Sequence, residues 1–156
     1  ISYVAHINSD GSVDPTWNPN PNLYVQTIGV SGSSVYIGGD FTTVNGGTTR
    51  NYIAKVNNTT GAVDASWNPI LNNTCFDLVV DGNDIYAGGF FSTVNGGTTR
   101  NRLAKFNNTD GTADASWNPN ASDFIETIVV TSDAVYVGGW FTTQQNHRYS
   151  RCRLGP

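Results

Sequence analysis

Side chains able to do chemistry are few in this chain, and they are scattered. His6 and His147 are its two histidines, Cys75 and Cys152 its two cysteines, and Glu126 its one glutamate. Neither histidine stands beside a serine or cysteine in a nucleophile motif, so acyl transfer has no recognisable machinery. Glycoside hydrolysis needs a converging pair of carboxyl groups, and the aspartates fall mostly in turns. The pairs Gly38-Gly39, Gly88-Gly89 and Gly138-Gly139 lack the following helix and the lysine of a phosphate-binding loop. Residues 8–14 and 107–111 faintly resemble calcium loops, in which alternate oxygens converge on a hard cation. Asn57-Asn58-Thr59-Thr60-Gly61 holds the same place with no acidic residue, and no bidentate glutamate follows, so these segments read as hairpin turns. The expectation is a protein that is not an enzyme and has no metal site and no cofactor.

Binding is the chemistry that remains. Trp17, Trp67 and Trp117 each precede Asn-Pro at an interval of 50 residues. A large aromatic recurring at one position reads as packing, with a glycan-stacking platform as the alternative. A specific ligand should be met where recurring segments differ. Asp40, Phe90 and Trp140 occupy one equivalent position with three different side chains, and the unlike segments 20–24 and 120–124 bring Tyr24 and Phe124. These five are the candidate ligand-binding residues, with neutral drift in exposed loops as the alternative. Sequons at Asn57, Asn58, Asn72, Asn107 and Asn120 allow glycosylation, although chance matches are expected in a chain with 19 Asn and 18 Thr. Cys75 replaces Val25 and Ile125 and reads as a buried small hydrophobe; a Cys75–Cys152 disulfide is the other option.

The elements that must position these residues follow from the repeat. Val35-Tyr36-Ile37-Gly38-Gly39 returns as Ile85 to Gly89 and Val135 to Gly139, and Val44 to Asn51 returns unchanged as Val94 to Asn101. Each unit of about 50 residues reads as four short strands, A at 23–30, B at 34–42, C at 49–57 and D at 62–67 in the first. Strand A carries apolar residues at 28 and 30, 78 and 80, 128 and 130, the period of two expected of a strand with one buried face. Strand B is apolar or small on both faces, which predicts a strand covered from both sides. Ser31-Gly32-Ser33, Asp81-Gly82-Asn83 and Asn45-Gly46-Gly47 supply the turn chemistry of tight hairpins.

Four antiparallel strands per unit predict an all-β fold built of β-propeller-type repeats. The signatures of the WD40 and kelch types are missing. Val135-Tyr136-Val137-Gly138-Gly139-Trp140-Phe141-Thr142, the Val-Asn-Gly-Gly loop, Arg100 to Asn107 and Asp110 to Pro119 resemble the bacterial delta-60 type propeller repeats over almost the whole chain, with Trp where that family usually has Phe before Asn-Pro. The resemblance implies large secreted or surface-attached proteins and offers no catalytic residue to carry over. Residues 1–156 then form one array: strands C and D of a split blade at 1–20, blades at 21–69 and 70–119, and strands A and B of the split blade with a divergent tail at 120–156. That makes three blade equivalents, too few to encircle an axis easily. The expected partner is a second copy, bound through the terminal strands in a closed oligomer or a filament.

Composition excludes other classes. With 13% charged residues and 66 of 156 positions taken by Asn, Thr, Ser and Gly, no stretch favours helix. A net charge of −4 opposes a nucleic-acid partner, and no apolar run is long enough for membrane insertion. The leading expectation is a non-enzymatic extracellular or cell-surface module for scaffolding, adhesion or self-assembly. The alternative is a carbohydrate-binding, lectin-like propeller with a glycan or surface partner.

Overall fold

The computed structural model describes residues 2–142, and every regular element among them is a β-strand. The first unit contains β1 (Val25–Ser31), β2 (Ser34–Gly39), β3 (Thr43–Val44), β4 (Thr48–Thr49) and β5 (Ile53–Asn57); the second repeats it as β6 (Cys75–Asp81), β7 (Asp84–Gly89), β8 (Thr93–Val94), β9 (Thr98–Thr99) and β10 (Leu103–Asn107). The third contributes β11 (Ile125–Val130) and β12 (Val135–Gly139). The sheets are antiparallel, ordered β1-β2-β5, β6-β7-β10 and β11-β12, with β3-β4 and β8-β9 as separate small hairpins. Among the described residues no helix is long and apolar enough to cross a membrane.

Local chemistry sets the hairpins. Gly32 and Gly82 adopt φ of 55° and 56°, which lets β1 return as β2 and β6 as β7 within two residues. The ladder breaks at one place in every inner strand, between Val25 and Thr27, Cys75 and Asp77, and Ile125 and Thr127. Gln26, Phe76 and Glu126 are the extra residues, and such bulges re-aim a side chain.

The sheets stack face to face, and the core lies between them. The inner strands β1, β6 and β11 are neighbours in that order. One cluster joins Tyr36, Ile53 and Trp67 of the first unit to Cys75, Leu78 and Ile85 of the second, and another joins Tyr86 and Leu103 to Ile125, Ile128 and Val135. Strands β2 and β7 are buried over nearly their whole length, as expected of strands covered from both sides. The glycine pairs follow from this stacking. A Cβ on Gly38 would stand 2.7 Å from Cys75 Sγ, and one on Gly39 would stand 2.1 Å from the carbonyl oxygen of Tyr24. The first glycine admits the next sheet and the second admits the loop entering β1.

Several strand expectations change. The fourth strand shrinks to one bridge per unit, Val56 with Val63 and Phe106 with Ala113. Beyond that pair the carboxylate of Asp64 takes the amide and hydroxyl of Ser66, which turns the chain out of the ladder. Strand C is shorter than expected, because Thr48 and Thr49 pair with β3 and the backbone at Tyr52, φ 67°, breaks the run before β5. At the N-terminus the expected strands C and D are one bridge, Ile7 with Val13, with no strand paired to them among the described residues. The segment is held by Val4 and Trp17, which pack on the first sheet. Ile28 and Val30, expected on a buried face, are exposed, while Leu78 and Ile128, the counterparts of Ile28, are buried and Val80 and Val130, those of Val30, are half-buried. The expectations for His147, Cys152 and the divergent tail lie outside the described residues.

Candidate functional site

The loop entering each inner strand and the end of each middle strand meet at one edge. The amides of Asp40, Phe90 and Trp140 donate to the carbonyls of Tyr24, Thr74 and Phe124 at 2.9, 2.9 and 3.0 Å. The candidates of one unit are therefore backbone neighbours, and sheet stacking brings adjacent units together along the edge.

The side chains sort into two groups. Phe124 lies at the centre of an aromatic run: its ring is 5.7 Å from Phe90, 5.8 Å from Phe76 and 5.5 Å from Trp140, stacked on the last at 26°. Trp140 is 67% exposed and Phe90 41%. The run has a polar border. Trp140 Nε1 donates to Glu126 Oε1 at 3.0 Å, and the Arg102 guanidinium sits 4.5 Å from the centre of the Phe90 ring while donating to the Phe90 carbonyl. Asp40 and Tyr24 stand outside the run. Asp40 accepts from Thr74 Oγ1 at 2.6 Å and from Gln26 Nε2 at 3.1 Å, tying the first unit to the second, while the Tyr24 ring packs edge-on against Tyr3 at 5.2 Å.

Gln26, Phe76 and Glu126 were not among the candidate ligand-binding residues, yet they are the bulge residues and all three contact candidate positions. Their signal was present in the repeat: three unlike side chains at one position, as at 40, 90 and 140.

The recurring residues are taken up by the framework. Trp67 is fully buried, edge-on to Tyr36 at 5.3 Å, and its Nε1 donates to the Asn107 carbonyl of the next unit at 2.9 Å; Trp17 does the same to Asn57. Asp114 accepts the amide and hydroxyl of Ser116 and pairs with Lys105 Nζ at 2.6 Å. The Lys105 ammonium and the Ser116 hydroxyl hold its pKa down at about 2. Asp14 is likewise held at about 2, chiefly by the Thr16 hydroxyl and amide with His6 adding to them. Such carboxylates are locked in the ionised form and are poor proton donors. Cys75 is buried, and desolvation raises its pKa. Among the described residues no group of three or more His, Cys, Asp or Glu could hold a metal ion.

Most sequon amides have structural partners. Asn57 and Asn107 accept the amides of Thr59 and Thr109, and Asn58 Nδ2 donates to the Gly32 carbonyl. Asn72 Nδ2 donates to Ser92 Oγ, and Asn120 Oδ1 accepts from Asn101.

The family model described as a domain of unknown function (DUF5122) beta-propeller matches residues 34–66 and 83–116. Those segments run from the middle strand of a unit through its small hairpin and third strand to the turn beyond the bridge, in both complete units. No curated protein matches the chain. The stacked antiparallel sheets and this match make the units propeller-type repeats.

Proposed function

We propose that the chain is a non-enzymatic propeller module of the bacterial delta-60 type, secreted or displayed at the cell surface, in which three blade equivalents form a scaffold that carries an adhesion face. The observation that supports this most is the division of labour between positions. Recurring side chains are consumed in packing and hydrogen bonds, whereas the positions that differ between units gather at one edge and leave Trp140 and Phe90 in solvent. A contiguous run of exposed aromatics rimmed by polar groups is the kind of surface that marks an interaction site.

A lectin-like module is the second reading. It is favoured by Trp140, whose stacked ring leaves a face for the apolar side of a sugar while Glu126 and Arg102 stand by to accept and donate hydrogen bonds. A glycan array on the folded chain tests both. Saturable binding that falls at least tenfold in Trp140→Ala supports the lectin-like reading, and no saturable sugar binding leaves the scaffold alone. Turnover of any arrayed glycan would overturn the non-enzymatic reading.

A further inference from the structure

Arginine stands at position 102 where the preceding units carry Tyr52 and Tyr3, and the backbone beneath all three is the same. Their φ angles are 66°, 67° and 66°, a left-handed conformation uncommon for residues other than glycine. The amides of Tyr52 and Arg102 donate to the carbonyls of Phe41 and Phe91, both at 2.8 Å, and their own carbonyls accept the amides of Gly39 and Gly89. The framework thus fixes residue 102 beside the end of β7 whatever its side chain. In the second unit the side chain is held too. Its guanidinium lies 4.5 Å from the centre of the Phe90 ring, and Nη1 donates to the Phe90 carbonyl. Nη2 and Nε have no hydrogen-bond partner among the described residues.

The other cations among the described residues are spent. Lys55 pairs with Asp64 at 3.2 Å and Lys105 with Asp114 at 2.6 Å. Arg50 and Arg100 are buried, and each gives both terminal nitrogens to backbone carbonyls. Arg102 forms no ion pair with any described carboxylate. All 12 acidic residues of the chain are among those described, and residues 143–156 contain no Asp or Glu, so no acidic side chain of this protein neutralises it. A held guanidinium with two unused donors beside an aromatic ring is a fork open to an anion from outside.

The surroundings narrow the kind of anion. Phe124 joins Phe90 to Trp140, and on the Trp140 side Glu126 keeps one oxygen without a partner among the described residues. A carboxylate only accepts, so a ligand must bring hydroxyl or N–H donors to that side and a planar anion to Arg102. A run of acidic peptide would set like charge against Glu126. A sugar acid carries a carboxylate, hydroxyl donors and an apolar ring face in one unit. We infer that this face binds a glycan containing carboxylated sugars, with the carboxylate on Nη2 and Nε of Arg102 and the sugar ring against Phe90. This rests on the lectin-like reading of the same face and adds the class of ligand and the residue that selects it. The first unit offers no such place, since it has Tyr52 for the arginine and Asp40 for the phenylalanine.

A glycan array displaying neutral, sulfated, uronate-containing and sialylated oligosaccharides, followed by calorimetric titration of the strongest carboxylated binder and of its carboxyl-reduced form, reads the result. Far-UV circular dichroism controls for folding. The carboxylated form should bind at least about tenfold tighter than the reduced form, as expected of a bidentate charge-assisted pair, and added salt should narrow the gap. Arg102→Gln, which keeps a donor for the Phe90 carbonyl, should remove that preference while leaving affinity for the reduced form unchanged. Arg102→Tyr, which installs the residue of the first unit, should do the same, and Arg102→Lys, with the charge but not the fork, should restore it only in part. Equal binding of neutral and carboxylated sugars, or an Arg102→Gln chain that weakens both forms alike, would overturn this inference and leave the lectin-like reading standing. Tighter binding of a sulfated glycan or of a polyglutamate peptide would overturn the class of ligand. Absence of saturable sugar binding would overturn both readings.

Discussion

Asp77 Oδ2 accepts the amide of Ile128 at 2.7 Å, across the gap between the second and third units. Its other oxygen accepts the Thr27 hydroxyl of the first unit at 3.0 Å, so one carboxylate at a bulge clasps three successive inner strands. The equivalent residues, Thr27 and Thr127, are neutral. Asp77→Ala should cost about 2 to 3 kcal/mol, since hydrogen bonds to a charged group are among the stronger ones and a part-buried amide is left without its acceptor. Asp77→Asn, which keeps one acceptor oxygen, should cost less. Denaturant unfolding checks both, and equal losses would show that the two bonds do not act separately.

Trp67 is read as a wedge between units. Trp67→Ala should cost roughly 3 to 5 kcal/mol, the range for a fully buried large aromatic. The same denaturation measurement checks it, and a loss below about 1 kcal/mol would place the ring at the surface.

Trp140 is expected to behave in the opposite way. Trp140→Ala removes an exposed ring whose packing is one stack on Phe124 and one hydrogen bond to Glu126, so it should cost about 1 kcal/mol or less. Thermal unfolding of Trp140→Ala beside Trp67→Ala gives the contrast, and equal destabilisation would assign Trp140 to the core.

The Lys105–Asp114 pair sets an acid limit. Asp114 has a depressed folded pKa of about 2, below the ordinary aspartate value near 3.9. Its contribution is therefore present above pH 4 and is lost as the pH falls from about 4 towards 2. Asp114→Asn should flatten the fall of stability over that window while lowering stability at pH 7. Unfolding free energies measured from pH 2 to 7 would show an unchanged slope if the pair carried no linkage.

The fold was legible where a physical demand repeats. Gly38 and Gly88 are both required by the side chain of the next sheet, and Trp67 and Trp117 sit at one kind of boundary, so a period of 50 exposed them. Asp77 was invisible for the opposite reason, because its role occurs once and its counterparts are threonines. Strand D was overestimated because the alternation from Ala62 to Trp67 resembles a strand, while Asp64 captures the Ser66 amide and ends the pairing after one bridge. Of the candidate site, the variable positions 40, 90 and 140 were readable as a set. Their grouping was not, since the bulge residues Gln26, Phe76 and Glu126 that contact those positions interrupt the strand register, and a bulge leaves no mark in a hydrophobic pattern.

Face-to-face stacking of successive repeats is the central claim, and nuclear Overhauser contacts between units 50 residues apart test it most directly. The Gly29 α-protons should contact the Leu78 δ-methyl groups, and the Gly88 α-protons the Ile128 δ-methyl, because Cβ atoms built at those glycines lie 2.7 and 3.1 Å from the methyl carbons. Observing both pairs is the predicted result. Strong contacts within each unit, with none between Gly29 and Leu78 or between Gly88 and Ile128, would mean that the sheets do not stack and would contradict the account.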